Sequence, residues 1–394
     1  MPRLPVCLLA LLLSSVVMGA APPPVNERVV LTADAEQRWI AFTLTPGNQL
    51  RFTAMLDGEP VGAILDTGAS RTMLSRAYAE RTGRAVTPRG RVAAIGGAVA
   101  GGWTAIGRLT LGGLERTGGG LSVIDLPASA TGAAQAVDLL VGSDLTRNYA
   151  LDIDYAGRRF RILPTGRLPF VGARMSLRMG SEPLAYITDL VVAGQRLRPI
   201  IVDTGDGTSL TLARSTWRTL PLDPAPAMTT QLSYGVGGAV VADVATLPQV
   251  TLGNATIRDV GVWIERSGGF SDAARSAGRI GMGLLQRYRV LLDPAAGIMV
   301  LGPATTPAPP VSTSGLQLSL TGNHLRIMHV MRNSPAEALG LRVGTTICRV
   351  DDVAIGTDPV AATRADWPYG RPGTSVALEQ CDGRRVTLTL RRFY

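Results

Sequence analysis

The chain has 394 residues, room for two or three domains, and its 46 glycines, 26 prolines and only 18% charged residues suit a β-rich fold with many turns. Its formal charge of +9 comes from arginine alone, since lysine is absent, and the arginines are scattered along the chain. This excludes a phosphate-cradling glycine loop with its lysine, and it argues against a nucleic-acid surface, which needs a basic patch with interleaved aromatics.

At the N-terminus, Arg3 precedes an apolar run from Val6 to Val17, and Gly19, Ala20 and Ala21 lead into three prolines. Residues 1–21 therefore read as a signal peptide, which implies export to the periplasm or beyond the cell. The alternative, an uncleaved anchor, requires a longer run. Cys7 sits early in that run, not at its end, which argues against a lipid-anchored cysteine. No other stretch is long and apolar enough to span a bilayer, so no stable membrane insertion is expected. Residues 22–44 form a segment ahead of the first lobe.

Two copies of one pattern organise the main body of the chain: Ile64-Leu65-Asp66-Thr67-Gly68-Ala69 and Ile201-Val202-Asp203-Thr204-Gly205-Asp206. Each places a carboxylate after an apolar, β-branched run and then a glycine that permits a tight turn. The flanks repeat as well. Ile95-Gly96-Gly97-Ala98-Val99 answers Val236-Gly237-Gly238-Ala239-Val240, and Leu109-Thr110-Leu111-Gly112 answers Val250-Thr251-Leu252-Gly253. Leu140-Val141-Gly142, with Leu145, Tyr149 and Asp154, answers Arg279-Ile280-Gly281, with Leu284, Tyr288 and Asp293. Four landmarks in one order at matched spacing indicate a duplicated structure. Residues 45–165 and 166–302 are its two lobes.

In the first lobe, residues 50–56 and 61–65 read as a hairpin joined through Asp57-Gly58-Glu59-Pro60, and residues 75–81 as a short helix. Residues 93–103 read as a glycine-rich hairpin. The second lobe repeats the plan, with 185–192 and 198–202 as its motif hairpin and 232–241 as its glycine-rich one, which carries Tyr234.

The doubled apolar-apolar-Asp-Thr-Gly pattern resembles the aspartic proteases of the pepsin and retropepsin kind. The resemblance covers residues of about 45 to 302 and implies a mainly β fold, two retropepsin-like β-barrel lobes forming a bilobal pseudo-dimer. It also implies an endopeptidase acting on protein or peptide substrates as a single chain, without a cofactor. Asp66 and Asp203 would be catalytic, sharing one proton because two adjacent carboxylates do not both ionise comfortably. Thr67 and Thr204 would brace the two loops, while Gly68 and Gly205 let backbone N–H groups approach the carboxylates. Gly96, Gly97, Tyr234, Gly237 and Gly238 would belong to flaps that close over substrate. The rival reading is a catalytically inactive peptide-binding protein of the same fold.

Asp206 departs from the small residue such motifs usually carry, and there it would either raise the apparent pKa values of the pair or turn outward to solvent or an arginine. Other chemistries are excluded by composition. The only histidines, His324 and His329, lie beyond both lobes, so a Ser-His-Asp triad or a histidine-rich metal site in the main body is ruled out.

Residues 303–313 form a Pro-rich linker. Residues 314–394, with Asn333-Ser334-Pro335-Ala336-Glu337-Ala338-Leu339-Gly340-Leu341, resemble a bacterial PDZ domain, an α+β module that adds an extended peptide to a sheet edge. Ser334 would cap a helix, Pro335 occupy its first turn and Gly340 end it. The segment 358–367, where a groove-lining helix would fall, is interrupted by Pro359. Cys348 and Cys381 remain after the signal, either as a disulfide or as two buried thiols.

Overall fold

A computed structural model describes residues 27–181, 183–356 and 366–394. The expected signal peptide lies outside these residues, as does the expected groove-lining segment apart from its last two residues. Along the strand Leu50–Leu56, Leu50, Phe52, Ala54 and Leu56 are buried and the residues between them are not, so one face meets the core. The chain then reverses through Asp57 and Gly58, both at positive φ, which sets Leu56 opposite Glu59. The turn is thus two residues long, shorter than the four the sequence suggests. Pro60 stays in the next strand, Glu59–Leu65, because the neighbour on its open side, Leu139–Val141, pairs only with Ala63 to Leu65.

That strand delivers Asp66 into the interior. Leu139–Val141 runs parallel to it and antiparallel to Met73–Ser75, which in turn runs parallel to Gly120–Ile124. The second lobe repeats this weave with Gln195–Val202, Gly278–Ile280, Leu210–Ala213 and Ala255–Glu265. The short helices Arg76–Arg81 and Arg214–Thr219 come at corresponding places. The first lobe is built on an eleven-stranded sheet and the second on an eight-stranded one. The fold is mainly β.

Between the lobes lies a six-stranded sheet to which both contribute. Its centre is the antiparallel pair Tyr149–Asp154 and Tyr288–Asp293, and one hydrophobic cluster runs through both lobes, including Leu151 and Leu292. The segment ahead of the first lobe is part of it. Arg28–Leu31 pairs with Leu114–Thr117 at the edge of the first sheet, and Ile40–Ala41 joins the shared sheet.

Leu316 to Thr389 form a separate six-stranded sheet over its own apolar cluster. The helix Pro335–Ala338 packs there, with the Ser334 side chain accepting from the Glu337 N–H at 3.1 Å and Gly340 at positive φ. The register shifts between Ile347, opposite Gln380, and Arg349, opposite Glu379, so Cys348 sits at the irregularity with its Cα 5.0 Å from that of Cys381, and their sulfurs are bonded.

Asp152 ties the shared sheet together. It is fully buried and accepts from Arg161 Nε at 2.9 Å and from Arg289 Nε and Nη2 at 3.0 and 2.8 Å, which joins the two lobes. Removing it takes the shared acceptor from two partly buried arginines and empties a fully buried position. Asp152→Ala should lower unfolding free energy by about 3 kcal/mol in chemical denaturation; a loss below about 1 kcal/mol would show that water replaces the carboxylate.

Candidate active site

Asp66 and Asp203 each sit where a buried strand ends, and the two loops are locked together by hydrogen bonds across the lobe boundary. Thr67 Oγ1 donates to the Val202 carbonyl at 2.6 Å and accepts from the Thr204 N–H at 3.1 Å. Thr204 Oγ1 donates to the Leu65 carbonyl at 2.8 Å and accepts from the Thr67 N–H at 3.0 Å. Both threonines are fully buried. Each aspartate receives two backbone N–H donors on its Oδ1: Gly68 and Ala69 for Asp66, Gly205 and Asp206 for Asp203, all at 2.9 to 3.1 Å. The two carboxyl groups face each other across the joined loops: a Cβ on Gly68 would lie 2.4 Å from the Asp203 Cγ and one on Gly205 2.3 Å from the Asp66 Cγ, and two carboxyls so placed do not both ionise comfortably.

Burial raises both carboxyls above the usual carboxylate range. For Asp203 the charges of Asp66 and Asp206 push it well above that range, while the Arg279 guanidinium pulls the other way. The expected bracing residues and glycines are therefore at the pair. Crossing behind the loops, Val141 and Ile280 accept the backbone N–H of Asp66 and Asp203, each at 2.9 Å.

Asp206 is neither outward nor free. It is buried, and its Oδ2 accepts from Arg279 Nε at 3.0 Å, while its Oδ1 accepts from the Thr208 N–H at 2.9 Å. Arg279 also lies 3.8 Å from Asp203 Oδ2 and donates to the Glu265 carboxylate and to Ser271. The sequence pattern includes Arg279 as a landmark of the repeat and gives it no role. A signal is present nonetheless: Leu140 holds the same place in the first lobe, so an arginine in a buried strand needs a partner.

A cleft of about 1400 Å³ passes over the aspartates and between the lobes. Above it the two glycine-rich hairpins meet tip to tip. The Gly237 N–H donates to the Ile95 carbonyl at 2.9 Å, and a side chain on Gly96 would meet Gly237 and Gly238 backbone at 2.7 Å. Gly96, Gly97, Gly237 and Gly238 are thus brought together. The first hairpin is longer than its sequence suggests, with legs Thr87–Val92 and Val99–Ala105. Tyr234 pairs with Ala239 in the second hairpin and lines the cleft.

The hairpin of the second lobe is held from outside. Its leg Thr229–Gly235 is the last strand of its sheet, and the C-terminal module covers it. The Gln317 side chain makes both main-chain bonds to Leu232, accepting from its N–H at 2.6 Å and donating to its carbonyl at 2.9 Å. His329 Nε2 meets Thr230 Oγ1 at 2.9 Å, and Arg332 reaches Asp243 at 2.9 Å. Such contacts mask an edge that would otherwise invite pairing.

A Cβ on Gly205 would lie 2.3 Å from the Asp66 Cγ, and one on Gly68 2.4 Å from the Asp203 Cγ. Gly205→Ala must therefore force the carboxyls apart, and it should lower the unfolding free energy by about 2 kcal/mol in chemical denaturation, as overpacking a close contact does; a loss below about 0.5 kcal/mol would mean that the loops yield freely. Gln317→Ala should speed amide exchange in Thr229–Gly235 and leave Thr87–Val92 unchanged. Equal exchange of Thr229–Gly235 in variant and wild type would mean that the module does not hold the strand.

The aspartyl protease family model matches the chain twice, over residues 52–145 and 188–284, one match in each lobe. The chain is also similar to DNA damage-inducible protein 1 of Eremothecium gossypii, 32% identical over 177 residues, which is 43% of this chain and 35% of that protein. The chain thus spans about a third of the length of that curated relative. With each match enclosing one Asp-Thr-Gly loop, this is a mainly β chain with two lobes that each match the aspartyl protease model.

Proposed function

We propose that the chain is an exported aspartic endopeptidase that works as a single chain, hydrolysing peptide bonds with Asp66 and Asp203. The observation that carries this reading is the pair of Asp-Thr-Gly loops locked to each other by Thr67 and Thr204, which sets both aspartates in the lining of one cleft beneath the two glycine-rich hairpins. A peptide lying in the cleft would place its scissile carbonyl over the pair. One carboxylate takes a proton from a bound water while its protonated partner donates to the carbonyl oxygen, giving a tetrahedral intermediate. Collapse of that intermediate returns the proton to the departing nitrogen. The proton belongs to the pair and not to one residue.

Asp206 is the strongest reason in the sequence to favour a binding protein without catalysis, because a free third carboxylate would crowd the pair. Its bond to Arg279 removes that objection. The C-terminal module, read as PDZ-like, would take a peptide end at a sheet edge. It braces one flap, so a peptide ligand there would act on flap mobility. Export rests on the N-terminal segment alone.

Asp66→Asn and Asp203→Asn should each abolish cleavage of a quenched peptide library. Their effect on stability separates chemistry from folding. Because the Asp203 carboxyl is raised in the folded state, folding takes up a proton between the unfolded and folded pKa values, and stability falls as pH rises through that window. Asparagine has no such loss and keeps an oxygen for the Gly205 and Asp206 N–H groups. Asp203→Asn should therefore unfold at a higher temperature than wild type at neutral pH, with the gap closing toward acid. An active variant would refute the catalytic assignment, and a gap constant with pH would refute the raised carboxyl.

A further inference from the structure

The two halves of the cleft occupy equivalent frames and are furnished with opposite chemistry. The register makes the equivalence explicit. Leu140 faces Met73 across one strand pair as Arg279 faces Thr211 across the other. Ile124 faces Ser75 as Glu265 faces Ala213. Ala69 and Asp206 both donate their N–H to the preceding aspartate. So Ala69, Met73, Ile124 and Leu140 in the first lobe correspond to Asp206, Thr211, Glu265 and Arg279 in the second.

All eight line the cleft. In the first lobe they form an apolar cluster, and Val236 from the opposite flap packs onto it. In the second lobe they form a network of ion pairs and hydrogen bonds around Arg279, which is 3% exposed. Its Nε is engaged by Asp206 and its Nη1 by Glu265 and Ser271, and Phe270 lies against the guanidinium at 5.1 Å. Among the described residues its Nη2 has no hydrogen-bond partner.

We propose that the cleft reads its peptide asymmetrically, the first lobe taking a bulky aliphatic side chain and the second a neutral side chain with an oxygen for Arg279 Nη2, namely asparagine, glutamine, serine or threonine. This rests on the protease reading of the site. An aliphatic side chain on the second side would cover a charged donor and leave it unpaired, which a hydrogen-bonding site penalises far more than it does a missing methylene. An acidic side chain would enter a region where Asp206, Glu265 and the shared-proton pair already outweigh Arg279 in charge. A basic one would find no waiting acceptor. The Asp206 oxygens accept from Thr208, Thr211 and Arg279, and the Glu265 oxygens from the Phe270 and Ser271 N–H groups and from Arg279.

The test is digestion of a randomised peptide library, with residues on both sides of each cleaved bond read by mass spectrometry. Wild type should show an aliphatic preference on one side and an Asn, Gln, Ser or Thr preference on the other, the latter about tenfold over leucine in kcat/KM. The triple variant Asp206→Ala, Glu265→Ile, Arg279→Leu installs the residues of the first lobe and removes the charges together, leaving none unpaired. It should convert the polar preference into an aliphatic one. Met73→Ala, which enlarges the apolar half, should shift only the aliphatic side toward larger residues, and it decides the matter if the triple variant does not fold. Like preferences on both sides in wild type, an unchanged profile in a folded triple variant, or a Met73→Ala shift on the polar side would each overturn the asymmetry while leaving the protease reading intact. Cleavage of no peptide at all would overturn the protease reading and this inference with it.

Discussion

Two carboxyl groups held together in a poorly solvated place are costly unless donors surround them, and the loops around them answer to that need. Each aspartate needs donors, and the loop after it supplies two backbone N–H groups at about 3 Å. Each loop needs to stay where it is, and Thr67 and Thr204 cross the boundary to fix it with four reciprocal bonds. The glycines answer the same demand, because any side chain at Gly68 or Gly205 would occupy the space of the opposite carboxyl. A net destabilisation remains in the raised carboxyls, as is common where a site is arranged for chemistry and not for stability.

Duplication provides two equivalent halves, and the differences between them then carry the specific properties of the chain. The first half keeps an apolar pocket beside its aspartate. The second replaces it with Arg279 and two acids, which needs every partner present, since a lone buried charge would be ruinous. The glycine-rich hairpins differ too. Thr87–Val92 ends the first sheet with no further strand paired to it among the described residues, while the strand Thr229–Gly235 is covered by Gln317, His329 and Arg332 of the C-terminal module. The two hairpins meet at their tips and differ in support.

The Asp-Thr-Gly loops, the two lobes and the glycine-rich hairpins are legible in the sequence because they are local patterns stated twice. Ile64 to Gly68 and Ile201 to Gly205 announce strand, carboxylate and turn within a few residues, and matched spacing relates the rest. The features that are not legible depend on long-range register. The partner of Asp206 lies 73 residues away and becomes its neighbour only when Leu210–Ala213 pairs with Gly278–Ile280. Arg28–Leu31 looks like a leader to the first lobe until Leu114–Thr117 accepts it as an edge. The docking of Gln317 on Leu232 joins two modules whose sequences show no trace of each other. The hairpin at Asp57 misleads for a local reason: Pro60 suggests a longer turn, whereas an outward-facing position in a strand tolerates it.

The central claim is that Asp66 and Asp203 behave as one acid–base unit. The most direct measurement is a titration of the two side-chain carboxyl carbons by ¹³C NMR on aspartate-labelled protein. The account requires both resonances to move together in two widely separated steps, the second lying above the usual carboxylate range, with one proton retained between them. Two independent titrations, each near the ordinary aspartate value, would contradict it.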